Sequence, residues 1–414
     1  MSERKFRSSR VPSPGVFLLM DEAKTRARVA GVTVIDLSIG ASDLPPPPEA
    51  LEALKISVDD STTYSYCLKS GTMPLLEAAT GWYCTRYNMQ LDPATEALSL
   101  IGAQEGLAHA LMAVADPGNG ILMTNIAYPS YFGAVQVAGL VPLYMPLGPD
   151  FLPLLELVPA ADLERARVML LNYPNNPTSA VASREFFQAA VDLCKQYGIL
   201  LIHDNPYVDQ VFGKEPSPSP LCLPGGRDCV LELFSFAKSH HLGGFRLGFA
   251  LGNCEAVASL EALKAPIDFN QYKGIMRMGV ACLKLPHEVV RRDALVWQRR
   301  AEAMADALQL EGVEVQLPKA GMYLWLRLPP GVEDDVAFCQ QLVAATGVAL
   351  SPGQGFGPGG RGYVRVALVQ PEGVLEAVAV RIAEAMRRKA AAPAAVAAAS
   401  IGPDDLVEVG SAVA

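Results

Sequence analysis

Apolar positions along this chain follow two rhythms. Between about residues 100 and 255, short continuous apolar runs, I-L-M-T at 121–124, V-M-L-L at 168–171, I-L-L-I-H at 199–203 and V-L-E-L-F at 230–234, alternate with helical periodicity. The clearest helix is S-R-E-F-F-Q-A-A-V-D-L-C-K-Q-Y, with Ser183 as cap, Phe187, Val191 and Cys194 on one face, and Gly198 as the stop. Uninterrupted apolar strands separated by helices predict a mostly parallel sheet covered on both faces, a three-layer α/β/α large domain. A second, smaller α/β unit follows a helical region around Arg291 to Leu310, with strands M-Y-L-W-L-R-L-P and Y-V-R-V-A-L-V and a helix from Glu372 to about Arg387. The early strand T-V-I-D-L-S-I-G joins that unit. The expected division is an N-terminal arm at 1–30, a discontinuous small domain at 31–48 and 287–388, a large domain at 49–286, and an Ala-rich, disordered tail at 389–414.

In open α/β sheets, ligands sit at the carboxyl ends of the strands. Three predicted strands end in N-Y-P-N-N-P-T, H-D-N-P-Y and S-F-A-K, which brings Asn176, Asp204 with Tyr207, and Ser235 with Lys238 to one edge. An Asn-Pro or Asp-Asn-Pro turn alone is ordinary loop chemistry. Together the groups match what pyridoxal 5'-phosphate requires: an amine for its aldehyde, a carboxylate for its ring nitrogen, donors for its phenolic oxygen, and amides plus a cation for its phosphate. Lys238, Asp204, Asn176 with Tyr207, and Ser235 with Arg246 fill these needs in turn. S-L-I-G-A-Q-E-G-L-A-H-A-L adds a helix start at Ala103 and Gln104 whose amides face a phosphate, and N-I-A-Y-P-S-Y adds Tyr128 and Tyr131 as rings that could stack.

Composition narrows the field. A chain of 414 residues with a formal charge of −9 lacks the cationic excess that nucleic acid or an anionic membrane demands, and no apolar run spans a bilayer. The eight cysteines have no paired spacing, which fits free thiols in a reducing cytoplasm. His240 and His241, even with Cys222 and Cys229 nearby, match no zinc pattern, so no metal is expected and a structural role is the reading for both. G-F-G-P-G-G at 355–360 mimics a dinucleotide fingerprint, but Pro358 interrupts it and a strand rather than a helix follows.

With N-N-P-T, D-N-P-Y, S-F-A-K, R-L-G-F and Y-V-R-V-A-L in order over residues 30 to 388, the chain resembles the fold-type I pyridoxal phosphate enzymes, and within them the class I/II aminotransferases. The aspartate and diaminopimelate aminotransferase branch is the nearest in pattern. The resemblance implies that Lys238 forms the internal Schiff base, Asp204 pairs with the ring nitrogen, Asn176 and Tyr207 reach the phenolic oxygen, and Tyr131 lies over the ring. Ala103, Gln104, Ser235 and Arg246 would surround the phosphate. Arg365 looks like the arginine that forks onto the substrate α-carboxylate, with Gly40 and Asn176 beside it. Tyr66, on a loop before a helix expected to begin near Pro74, would reach across a homodimer interface to the partner's phosphate. Ser179 stands where the family has glycine. The implied reaction is ping-pong amino transfer between an L-amino acid, dicarboxylic or diaminopimelate-type, and a 2-oxo acid such as 2-oxoglutarate. A lyase on the same fold and a non-catalytic ligand sensor are the alternatives.

Overall fold

The structure, a computed structural model, describes residues 15–213, 216–332 and 334–399, with only the backbone course given from 390. Twelve strands occur among the described residues: β1 (Ile35–Asp36), β2 (Ala97–Leu100), β3 (Gly120–Thr124), β4 (Val141–Met145), β5 (Ala166–Leu171), β6 (Leu200–Asp204), β7 (Val230–Ser235), β8 (Gly248–Gly252), β9 (Tyr323–Arg327), β10 (Val348–Ala349), β11 (Ser351–Pro352) and β12 (Tyr363–Ala367). Seven of them form one sheet in the order β2-β8-β7-β6-β5-β3-β4. All its neighbours are parallel except β8, which runs antiparallel to both β2 and β7. Separate apolar cores cover the two faces, one built on Phe187, Val191 and Cys194 and the other on Leu107, Leu111 and Leu260. That double cover explains why the strands read as continuous apolar runs rather than alternating ones.

The reversed β8 follows from chain length. The connection from β7 to β8, residues 236–247, holds only a one-turn helix and a short turn rather than a helix that could run back along the sheet face, so the chain turns back at the carboxyl edge of the sheet. Lys238 and Arg246 both lie in that turn. Because β8 is reversed, β2 points the same way as β7, and the helix Ala103–Val114 begins at the same edge.

A third core collects Met20, Ala23, Ala27 and Leu37 with Trp297, Met304, Tyr323, Val343, Val366 and Ile382, around the antiparallel sheet β11-β12-β9 and the parallel pair β1-β10. Early and late segments of the sequence thus share one interior.

Three expectations change at the edges. Gly15–Val29, assigned to the arm, is a helix that buries Met20, Ala23, Lys24 and Ala27; Lys24 is held by Asp36 at 3.0 Å and Asp21 at 2.7 Å, which makes a buried ammonium tolerable. The remainder of the arm, 1–14, lies outside the described residues. The last helix runs Glu372–Ala399, past Arg388, since alanine favours helix strongly; 400–414 lie outside. The helix expected near Pro74 spans Lys69–Tyr87 with Pro74 inside it, where the missing N–H removes one bond just after the first turn.

Candidate active site

Lys238 sits in a one-turn helix, Phe236–Ser239, that Ser235 caps by accepting the Ala237 amide at 3.2 Å. Gln210 Nε2 donates to the Lys238 carbonyl at 3.3 Å. The Lys238 ammonium donates to the Gly40 carbonyl and lies 5.8 Å from the centre of the Tyr207 ring. One lysine therefore joins the large-sheet edge to the segment that follows β1.

Asp204 ends β6 and is buried. Tyr131 donates its hydroxyl to Asp204 Oδ2 at 2.5 Å, whereas Oδ1 is buried and has no partner among the described residues. Burial pushes the carboxyl up to about 6, against the opposing effects of the Tyr131 hydrogen bond and the His203 charge. An orphaned acceptor in such a place calls for a donor from outside the chain, and a protonated ring nitrogen supplies one.

Tyr131 is buried at 4 % exposure and its hydroxyl is committed to Asp204, so its face is not the open one. Tyr128, edge-on to it with ring centres 5.6 Å apart, is half-buried and donates to Gln104 Oε1 at 3.1 Å. Of the two rings, Tyr128 is the more exposed, while Tyr131 is buried against Asp204.

The turn at Gly102 opens the helix Ala103–Val114 with a φ of +86°, and a side chain there would stand 2.8 Å from Arg246 Nη2. Arg246 itself adopts a left-handed φ of 52° and anchors Nη1 on the Gly243 carbonyl at 2.9 Å. A guanidinium beside a helix start, with Ser235 at the same edge, is a site for a dianion. The first turn is fixed from behind: Glu105 accepts the Ile101 amide at 2.8 Å, and Lys264 donates to Glu105 at 2.7 Å.

Arg365, on β12 and 4 % exposed, donates from Nη1 to Asn176 Oδ1 at 2.9 Å and from Nη2 to the Ser38 carbonyl at 2.8 Å. Its Cζ lies 4.4 Å from the centre of the Tyr323 ring and 4.7 Å from that of Phe356, and its Nε has no partner among the described residues. Tyr323 was not singled out in the sequence, because within M-Y-L-W-L-R-L it reads as strand. Its hydroxyl is 2.9 Å from that of Tyr207, and a side chain at Gly40 would overlap it, which explains the glycine. Burial alone would raise the Tyr323 phenol, but the charges of Lys238 and Arg365 outweigh it and bring the group below its ordinary value. Tyr207 moves far up, through burial and then through Tyr323. Tyr66 stands apart from this group, 77 % exposed, its ring centre 4.8 Å from that of Phe269.

His240 is buried beside Asp209, which pairs with Arg86 at 2.5 Å; desolvation takes the imidazole down to about 4 despite Asp209, so it is neutral. Ser179, where a glycine was expected, adopts a φ of 58° and donates to the Tyr323 carbonyl at 2.9 Å.

Residues 32–382 match the family described as aminotransferase class I and II. The chain belongs to that family. This aminotransferase is 36 % identical over 371 residues to the LL-diaminopimelate aminotransferase of Aquifex aeolicus, covering 89 % of this chain and 96 % of the relative. It is 37 % identical to that of Syntrophobacter fumaroxidans, over 88 % and 95 % of the two chains. Among solved structures, a probable N-succinyldiaminopimelate aminotransferase from Thermus thermophilus superposes with a TM-score of 0.87 at 56 % identity, covering 89 % of this chain and 100 % of that one. The aminotransferase is a pyridoxal phosphate-dependent transaminase of fold-type I. Among its described residues no helix is long and apolar enough to cross a membrane.

Proposed function

We propose that the edge built from β5, β6 and β7 binds pyridoxal phosphate and that this aminotransferase acts on a diaminopimelate-type amino acid, with 2-oxoglutarate and glutamate as the partner pair. The observation that carries the cofactor placement is the unpartnered Asp204 Oδ1, buried within the same cluster as Lys238, Tyr207 and Asn176. The cofactor supplies an aldehyde that carries the amino group and a ring that draws electron density from the donor's Cα. Asp204 keeps the ring nitrogen protonated, Tyr128 covers one ring face, and Asn176 and Tyr207 hold the phenolic oxygen. The helix start at Ala103 and Gln104 takes the phosphate with Ser235 and Arg246. Lys238 carries the cofactor at rest and, once released, moves a proton from the donor's Cα. Arg365 takes the α-carboxylate with Asn176 and the Gly40 segment.

The donor class rests on similarity to the relatives named above, free diaminopimelate in two and its N-succinyl form in the third. A panel of L-amino acids, with L,L-diaminopimelate, its N-succinyl derivative, aspartate and glutamate, each paired with a 2-oxo acid, tests it. Preference for aspartate over both diaminopimelate forms would overturn the donor assignment. A carboxylate role for Arg365 makes a second expectation. Arg365→Lys keeps the charge but loses the planar fork, raising KM for every α-amino acid by about tenfold or more. A loss confined to acidic donors would move Arg365 to the distal group.

The shared-site homodimer is part of the same proposal. Tyr64, Tyr66, Leu68 and Phe269 are all more than half exposed, an apolar surface that a two-fold partner would cover, and Tyr66 touches no part of its own chain's cluster. Mixing Lys238→Ala subunits with inactive Tyr66→Ala subunits is expected to restore about one full site per mixed dimer, or about a quarter of wild-type activity in a randomly exchanged equal mixture. Subunit exchange without recovery would place Tyr66 outside the partner's site. The eight cysteines, all unpaired, support a reducing cytoplasm as the location.

A further inference from the structure

Two histidines follow Lys238, and the second has an unusual position. His241 holds a left-handed φ of 59°, a conformation that a side chain with a Cβ adopts reluctantly, yet its side chain is only 2 % exposed. Its Nδ1 is 2.7 Å from Ser42 Oγ and its Nε2 is 3.1 Å from Asp293 Oδ2. A carboxylate has no proton to give, so Nε2 donates to Asp293; in the neutral ring Ser42 then donates its hydroxyl to Nδ1 while accepting the Leu44 amide at 3.2 Å. His241 thereby connects three separate stretches: the turn after β7, the segment after β1, and the long helix His287–Leu310.

The segment so gripped is the one that carries Gly40. It is fixed from the small-sheet side by Arg365 on the Ser38 carbonyl and by Arg300, which forks onto Asp43 at 2.7 and 2.8 Å. From the large-sheet side it is held by Lys238 on the Gly40 carbonyl and by His241 on Ser42. A Lys238 that held the cofactor would no longer offer its free ammonium to the Gly40 carbonyl. The hold of His241 on Ser42 involves neither that nitrogen nor the cofactor.

We infer that His241 is a positioning residue: its bridge from Asp293 to Ser42 keeps the Gly40 segment in register with the carboxylate fork while Lys238 is engaged elsewhere. The inference rests on the reading that this segment meets the amino donor. It requires the left-handed backbone to be occupied by a side chain with two hydrogen-bonding ends, and glycine, the residue most at ease at that φ, would abolish the bridge without straining the turn.

The experiment uses the holoenzyme and three variants, His241→Gly, Ser42→Ala and their combination, with His241→Asn as partial rescue. Hydrogen exchange of the peptide spanning 38–44 is expected to accelerate about three- to tenfold in each, the change that losing one buried hydrogen bond produces. KM for L,L-diaminopimelate and L-glutamate should rise by a similar factor, with kcat within about twofold and the bound-cofactor spectrum unchanged. The double variant should equal the singles, because they break the same bridge, and His241→Asn should fall between. Unchanged exchange and KM in His241→Gly overturn the inference, as do additive losses or a loss of cofactor binding that outweighs the KM effect. A wild-type spectrum that no L-amino acid alters would instead remove the donor reading; the exchange result would still decide the bridge.

Discussion

Lys238→Ala is expected to fold, to bind pyridoxal phosphate without a covalent link, and to lose amino transfer by about four orders of magnitude or more. That loss combines the removed proton carrier, typically worth about 10² to 10⁴, with the missing covalent attachment at rest. Folding should survive because Lys238 lies in a one-turn helix capped by Ser235 and tethered by Gln210 through its backbone carbonyl, neither of which depends on its side chain. Borohydride reduction followed by peptide mapping checks the assignment. Wild-type protein should yield one labelled peptide containing Lys238, and a label on another lysine would refute the site.

The second large effect concerns Asp204, through both rate and pH. Asp204→Asn removes the charge that keeps the ring nitrogen protonated, and a fall of about 10² to 10⁴ in turnover is expected, with cofactor still bound. The cofactor-free protein carries a separate signature. Burial raises the Asp204 carboxyl to about 6, so between its ordinary value of 3.8 and about 6 the folded chain holds a proton that the unfolded chain has released. Stability must then fall as pH rises through that window and stay reduced above it. Cofactor-free Asp204→Asn should therefore melt above the wild type at pH 7 and lose this advantage toward pH 4. Pyridoxal phosphate should narrow the gap at pH 7, since its ring nitrogen gives Oδ1 a partner. Parallel melting curves across that range would show that Asp204 is not the titrating group.

How much of this was legible in the chain differs by element. The strands β3, β5, β6 and β7 stood out because burial on both faces leaves few polar interruptions, the Glu232 of β7 being buried against His203, and the Ser183 cap and Gly198 stop framed a neighbouring helix. The reversal of β8 did not: G-F-A-L-G is short and glycine-bounded, and its direction depends on whether the preceding connection forms a crossover helix. Lys238, Asp204, Asn176 and Tyr207 lie together because strand ends meet at one edge, a rule that needs only sequence order, whereas Arg365 comes from the middle of β12 in the separate small sheet and was marked by the resemblance alone. Tyr323 and Ser38 escaped notice, since a tyrosine in a strand and a serine after one have no local mark. Their importance arises from a neighbour more than a hundred residues away. The hydrogen bond from Tyr131 to Asp204 was not legible either, because nothing local marks which of two nearby tyrosines turns inward.

Both terminal nitrogens of Arg365 are already engaged, by an amide oxygen of Asn176 and a main-chain oxygen of Ser38. A guanidinium carries five N–H groups, and these contacts leave donors on Nη1 and on Nε, which has no partner among the described residues. Under the role proposed for Arg365, the neutral oxygens would hold the fork in place while the remaining donors met a carboxylate, so the arginine would be aimed before any substrate arrived. Amino acid and 2-oxo acid present the same planar group, so that aim would serve both directions of the exchange.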